Sequence, residues 1–210
     1  MKSLVAVPAL VTLAVTLIRL AGELLGWSPR FFSRDPGGAG AVVGIIWLVP
    51  IFGGYFAWKL AQGGSAPRAL RVIGYSLLAF AVVVGSAMLG SRVLKLERTA
   101  QFVLIFLACC VAAGVAYRGW PALGRTLLAY GLAARVPVIF VMLLAILASW
   151  GTHYDVAPPN FPAMAPVAKW FFIGVLPQLF LWVPITIFLG ALFGGFVLLF
   201  AGRGRQPASS

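Results

Sequence analysis

The sequence predicts an all-α integral membrane protein built as a bundle of six transmembrane helices. Three observations carry this expectation. Of the 210 residues, 62% are hydrophobic and 10% are charged, against about half and about a quarter in soluble domains. The mean hydropathy is +1.03. The apolar residues also gather into six long runs, most near the roughly 20 residues a helix needs to cross the hydrocarbon layer. A soluble fold of this size could not hide so much apolar side chain. The same counts exclude a disordered chain and a disulfide scaffold.

The runs are too long and continuous for strands, and the alternation of an outer-membrane barrel is absent. Helices satisfy their own backbone where no water is at hand. The first run covers residues 4–25, with Arg19 and Glu23 in its last two turns. No small-x-small cleavage site follows, so it reads as a retained anchor rather than a signal peptide. The second run covers 40–58 and is ended by Lys59. The third covers 72–89, after Arg68 and Arg71; the fourth covers 100–117 and is ended by Arg118. The fifth covers 126–150 with Arg135 inside it, and the sixth covers 170–201, long enough to tilt or project.

Two short interfacial helices are expected between the spans. Ser28-Pro29 reads as an N-cap with proline at the first helical position, opening a helix over 29–33. Residues 120–134 carry Arg125 and Tyr130 among apolar residues. Either they lie on the inner surface as an amphipathic helix, or the span begins near Thr126 and draws Arg135 partly into the membrane. The segment 151–167, GTHYDVAPPNFPAMAPV, holds four prolines and is expected to be extended. Residues 1–201 form a single polytopic domain on this reading, and 202–210 a short disordered cytoplasmic tail.

Lysine plus arginine is 16 and aspartate plus glutamate is 4, for a net charge of +12. The cations fall between apolar runs rather than in a stripe, so they point to anionic lipid headgroups and not to nucleic acid. With the N-terminus inside, nine cations and no acid fall on the inner side, and seven cations with all four acids fall outside. This bias places both termini in the cytoplasm of a bacterial-type inner (plasma) membrane. Trp27, Trp58, Tyr117, Trp120, Trp150 and Trp170 flank the runs, where an apolar body with a polar handle is favoured.

The chemistry is sparse. No acid sits mid-span, HExxH is absent, and one histidine cannot build a zinc site. No metal, no cofactor and no catalytic residue is therefore assigned. Cys109 and Cys110 read as small apolar residues. Gly38-Ala39-Gly40 starts no dinucleotide fingerprint, because Val43 stands at the third glycine position. Gly40/Gly44, Ser86/Gly90 and Gly190/Gly194 are small-x-x-x-small pairs that allow close helix approach.

Three groups of candidate site residues remain. Arg19 and Glu23, spaced i, i+4, could pair or receive an ionic headgroup, and Arg135 could hold an anion. His153, Tyr154 and Asp155 form the one place where several titratable groups adjoin. Pro177, Gln178, Pro184 and Thr186 break the sixth run and could line a cavity.

Three function classes follow in order. The first is an accessory or scaffold subunit of a membrane complex. The second is a carrier or receptor for a lipid-like or neutral small molecule. The third is a membrane enzyme using His153 and Asp155. The expected partners are membrane lipids including anionic headgroups, other membrane subunits or a homo-oligomer.

Overall fold

The computed structural model describes residues 2–38, 41–64 and 66–201. The expected tail at 202–210, with Arg203 and Arg205, and Gly40 of the Gly40/Gly44 pair lie outside the described residues. Every regular element among the described residues is helical. Six helices are long and apolar enough to cross a membrane: Ser3–Leu24, Ile45–Gln62, Ala69–Val93, Arg98–Gly119, Pro121–Ala148 and Pro166–Phe200. We call the main α-helices α1 (Lys2–Leu24), α2 (Leu48–Gln62), α3 (Ala69–Met88), α4 (Arg98–Gly119), α5 (Pro121–Ala148), α6 (Pro166–Trp170) and α7 (Val183–Ala201).

The chain divides into two compact units. Among the described residues, one comprises 48–131 and 180–201, the other Lys2–Trp47 and Leu132–Leu179. In the first unit α2 packs on α7 through glycine. A Cβ placed on Gly53 would collide with the Gly190 backbone, coming within 2.6 Å of its Cα. Gly194 likewise faces Ala57 at a separation that leaves a side chain no room. Such closeness lets dispersion accumulate where apolar surroundings supply little hydrophobic drive. Beside this contact Phe52 and Phe56 each meet Tyr130 edge-on at 5.4 Å, and Phe80 meets Phe188 at 4.8 Å.

The second unit combines α1 and the loop after it with Leu132 onward of α5, the proline-rich segment and α6. Its core is Val138, Met142, Ala145 and Tyr154, flanked by Leu20, Ile45 and Trp170. Trp170 Nε1 donates to the Ile139 carbonyl at 2.9 Å, so its buried pole has a partner.

Three stretches differ from the sequence expectation. The interfacial helix over 29–33 is a single turn, in which Phe31 and Phe32 N–H both donate to the Ser28 carbonyl at 3.0 and 3.1 Å. The Phe32 ring lies against Gly22 and edge-on to Trp27 at 5.2 Å, which stops the turn from propagating. The second helix begins at Ile45 rather than 40. Val42 and Val43 N–H donate to Arg30 and Phe31 carbonyls, so this stretch is engaged across the loop and not along a helix. Residues 121–134 are continuous with the fifth run in α5, so no break separates an interfacial helix there.

The last helix is interrupted by two wide turns, Phe171–Val175 and Gln178–Trp182. Pro177 has no N–H to return to the preceding turn. The chain responds with an i→i+5 bond from Leu176 N–H to Phe171 O. The second wide turn stands just ahead of Pro184, whose ring likewise removes a backbone donor from a helix that runs on without a gap from Pro166 to Phe200.

Candidate functional site

The second unit gathers charged side chains at the C-terminal end of α1. One face of α1 carries the buried series Val5, Pro8, Thr12, Thr16, Arg19 and Glu23. These recur every three or four positions, the period of one helical side. Thr12 and Thr16 return their hydroxyls to the carbonyls of Pro8 and Thr12, at 2.8 and 2.9 Å. The threonines are thereby satisfied on their own helix.

Arg19 and Glu23 cannot be satisfied that way. They are 8% and 1% exposed, and a buried charge is tolerable only when paired and hydrogen-bonded. Arg19 Nε donates to Glu23 Oε1 at 2.9 Å, while Nη2 donates to the carbonyls of Ser33 (3.3 Å) and Gly38 (3.2 Å). Gly38 has φ +73°, and a Cβ there would meet the Arg19 guanidinium and the His153 ring. Glycine thus supplies both the left-handed turn and the room. Arg34 clasps the Glu23 carbonyl through Nε at 2.9 Å and through Nη2.

The other side of Glu23 is filled by the proline-rich segment. His153 N–H donates to Glu23 Oε2 at 2.8 Å, and His153 Nδ1 meets Oε1 at 2.5 Å. An ionised carboxylate only accepts, so Nδ1 carries the hydrogen. Burial pushes the His153 pKa below its ordinary value, against the opposing pull of Glu23. The Tyr154 ring lies 3.8 Å from the His153 ring, and its hydroxyl donates to the Thr16 carbonyl at 3.2 Å. Burial raises the Tyr154 pKa, so it stays a neutral donor.

Asp155 takes its hydrogen bonds from its own turn, although its charge also bears on His153. Its carboxylate accepts from Gly151 N–H at 2.9 Å and from Thr152 N–H and Oγ1, both at 2.7 Å. It closes the 151–155 turn. No protein-family model matches this chain, and neither a curated protein nor a solved structure is similar to it.

The remaining candidates have other partners. Arg135 is buried, and its Nη1 donates to Gln178 Oε1 at 3.3 Å, while Gln178 Nε2 approaches Met142 Sδ at 3.8 Å. Thr186, in the first unit, is buried and donates to the Trp182 carbonyl at 2.8 Å. Pro177 is half-buried and Pro184 is buried. Cys109 is buried and Cys110 exposed, both unbridged.

The structure therefore joins two groups that the sequence kept separate, Arg19 with Glu23 and His153 with Tyr154. Sequence reasoning missed Ser33, Arg34, Gly38 and Thr152. The polar residues spaced along α1 were the available signal, because in an apolar helix a polar series marks the side that finds partners.

Proposed function

We propose that the protein is a multi-pass inner-membrane protein serving as an accessory or scaffold subunit, with both termini cytoplasmic. One observation supports this reading above the others. The polar groups that could have formed a reaction or transport centre bind one another and the loop backbone. Arg19 and Glu23 clasp the loops through Ser33, Gly38 and His153, Asp155 closes its own turn, and Gln178 faces Arg135 and Met142. This is the pattern of charges used to fix loop shape, not of groups poised to move a substrate. The saturation of the Asp155 carboxylate by Gly151 and Thr152 donors weakens the enzyme reading. The packing of Gln178 against protein weakens a cavity there.

Cysteine substitution at 178 and 186, probed with a small water-soluble thiol reagent, tests the reading. Protection at both positions supports the scaffold. Ready labelling at both overturns it in favour of a carrier or receptor for a lipid-like or neutral molecule. Reporter fusions at Ala157 and at the C-terminus test orientation, with external and cytoplasmic signals expected respectively.

A further inference from the structure

A cleft of about 460 Å³ opens in the loop beyond α1, lined by Trp27, Phe32, Ser33, Arg34 and Asp35 among others. Its size falls within the roughly 300–1,000 Å³ range of small-molecule sites. From its charges and its place on the chain, we propose that it holds the headgroup of a phospholipid bearing both a phosphate and a primary ammonium, of the phosphoethanolamine type. The proposal rests on α1 being a membrane span; it does not need the scaffold role.

The position comes first. α1 has 23 residues, about 34 Å at 1.5 Å per residue, against a hydrocarbon core of about 30 Å. The cleft begins at Gly26, two residues past the end of α1. That is the depth at which phosphates and amines lie. Trp27 stands there, 47% exposed and with its ring braced edge-on by Phe32, as an interfacial aromatic does.

The charges come second, and they are fixed. Arg34 is anchored through Nε and Nη2 to the Glu23 carbonyl, which leaves its Nη1 edge for a phosphate oxygen. Asp35 is held by its neighbour: Ser33 Oγ donates to Asp35 Oδ2 at 2.6 Å, and Asp35 N–H donates back to Ser33 Oγ at 3.1 Å. A guanidinium and a carboxylate on adjacent residues line one cleft. A zwitterionic headgroup presents the complementary pair. The carboxylate gives the selectivity. A primary ammonium can donate to it, a trimethylammonium cannot, and a glycerol headgroup offers it no cation.

Native mass spectrometry of the full chain in mild detergent, doped with equal dioleoyl-phosphatidylethanolamine, -phosphatidylcholine and -phosphatidylglycerol, tests this. Phosphatidylethanolamine should be retained roughly three- to fivefold over the other two, the ratio a solvent-exposed ion pair yields. Asp35→Asn should remove that preference with the thermal melt unchanged. Arg30→Gln, on the same loop but not among the cleft-lining residues, should keep it. Equal retention of the three lipids, or a preference that survives Asp35→Asn, overturns the proposal. Binding of free O-phosphoethanolamine without retained lipid overturns it too, by assigning the cleft to a soluble ligand. Extraction of membranes with alkaline carbonate separates the underlying reading: release of the chain would show that α1 does not span, whatever the lipid result.

Discussion

Glu23 accepts both the backbone N–H and the ring Nδ1 of His153, a residue 130 positions further along the chain. The same carboxylate holds Arg19. One side chain thereby ties a helix end to a distant segment, and its removal should be felt by both.

Glu23→Gln should lower the thermal midpoint in detergent strongly. Losing one member of a buried pair typically costs about 3–5 kcal/mol, because the charge left behind is uncompensated. Glu97→Gln, at an exposed position, should change it little. Equal effects from the two variants would show that the Glu23 pairing contributes nothing to stability.

The burial of His153 gives stability a pH dependence with a definite sign. Its folded pKa is lowered, chiefly by burial, so the folded form binds fewer protons than the unfolded one. This contribution is therefore complete above the unfolded value of about 6.5. It falls away as pH drops from there towards the lower folded value. Thermal midpoints recorded from pH 8 to pH 5 should decline for the wild type and decline less for His153→Gln. Parallel profiles would rule the histidine out as the source.

Gln178→Leu adds apolar surface yet should destabilise, because the Arg135 Nη1 to Gln178 Oε1 bond is lost. Polar contacts between membrane helices are worth about 0.6–2 kcal/mol, so folding should survive. A double-mutant cycle with Arg135→Met isolates the coupling. Strict additivity would show that the two residues do not interact energetically.

Gly53→Ala should cost about 1–3 kcal/mol, as overpacking does, because the new methyl meets the Gly190 backbone, which cannot rotate aside. Gly114→Ala is the matched control. It lies in α4 with open space at its Cβ, and there alanine should be neutral or stabilising by up to about 1 kcal/mol. Unfolding in denaturant reads both, and a harmless Gly53→Ala would mean that the helices can separate freely.

Helix number was legible because apolar run length is a local property, and the six membrane-length helices follow the six runs. Helix beginnings were less so. The stretch ahead of Ile45 is apolar enough to look like helix, but Val42 and Val43 bond across to Arg30 and Phe31, a choice made by the loop they face. The 29–33 turn failed to extend for a similar reason, since Phe32 packing on Gly22 outweighs a proline start signal. The Arg19–Glu23 pair could be read from spacing alone. The approach of His153 could not, because contact across 130 residues leaves no mark in local pattern.

That separation also sets a schedule during synthesis. At about 5–20 residues per second, a ribosome takes roughly 6–26 s to travel from Glu23 to His153, 130 positions on. Through that interval Arg19 is the one distant-loop-independent partner of the carboxylate, four residues away on the same helix. Leu48–Gly131, most of the other unit, is made entirely within it. A chain arrested before residue 153 would carry α1 with its acid held by Arg19 and without either bond from His153.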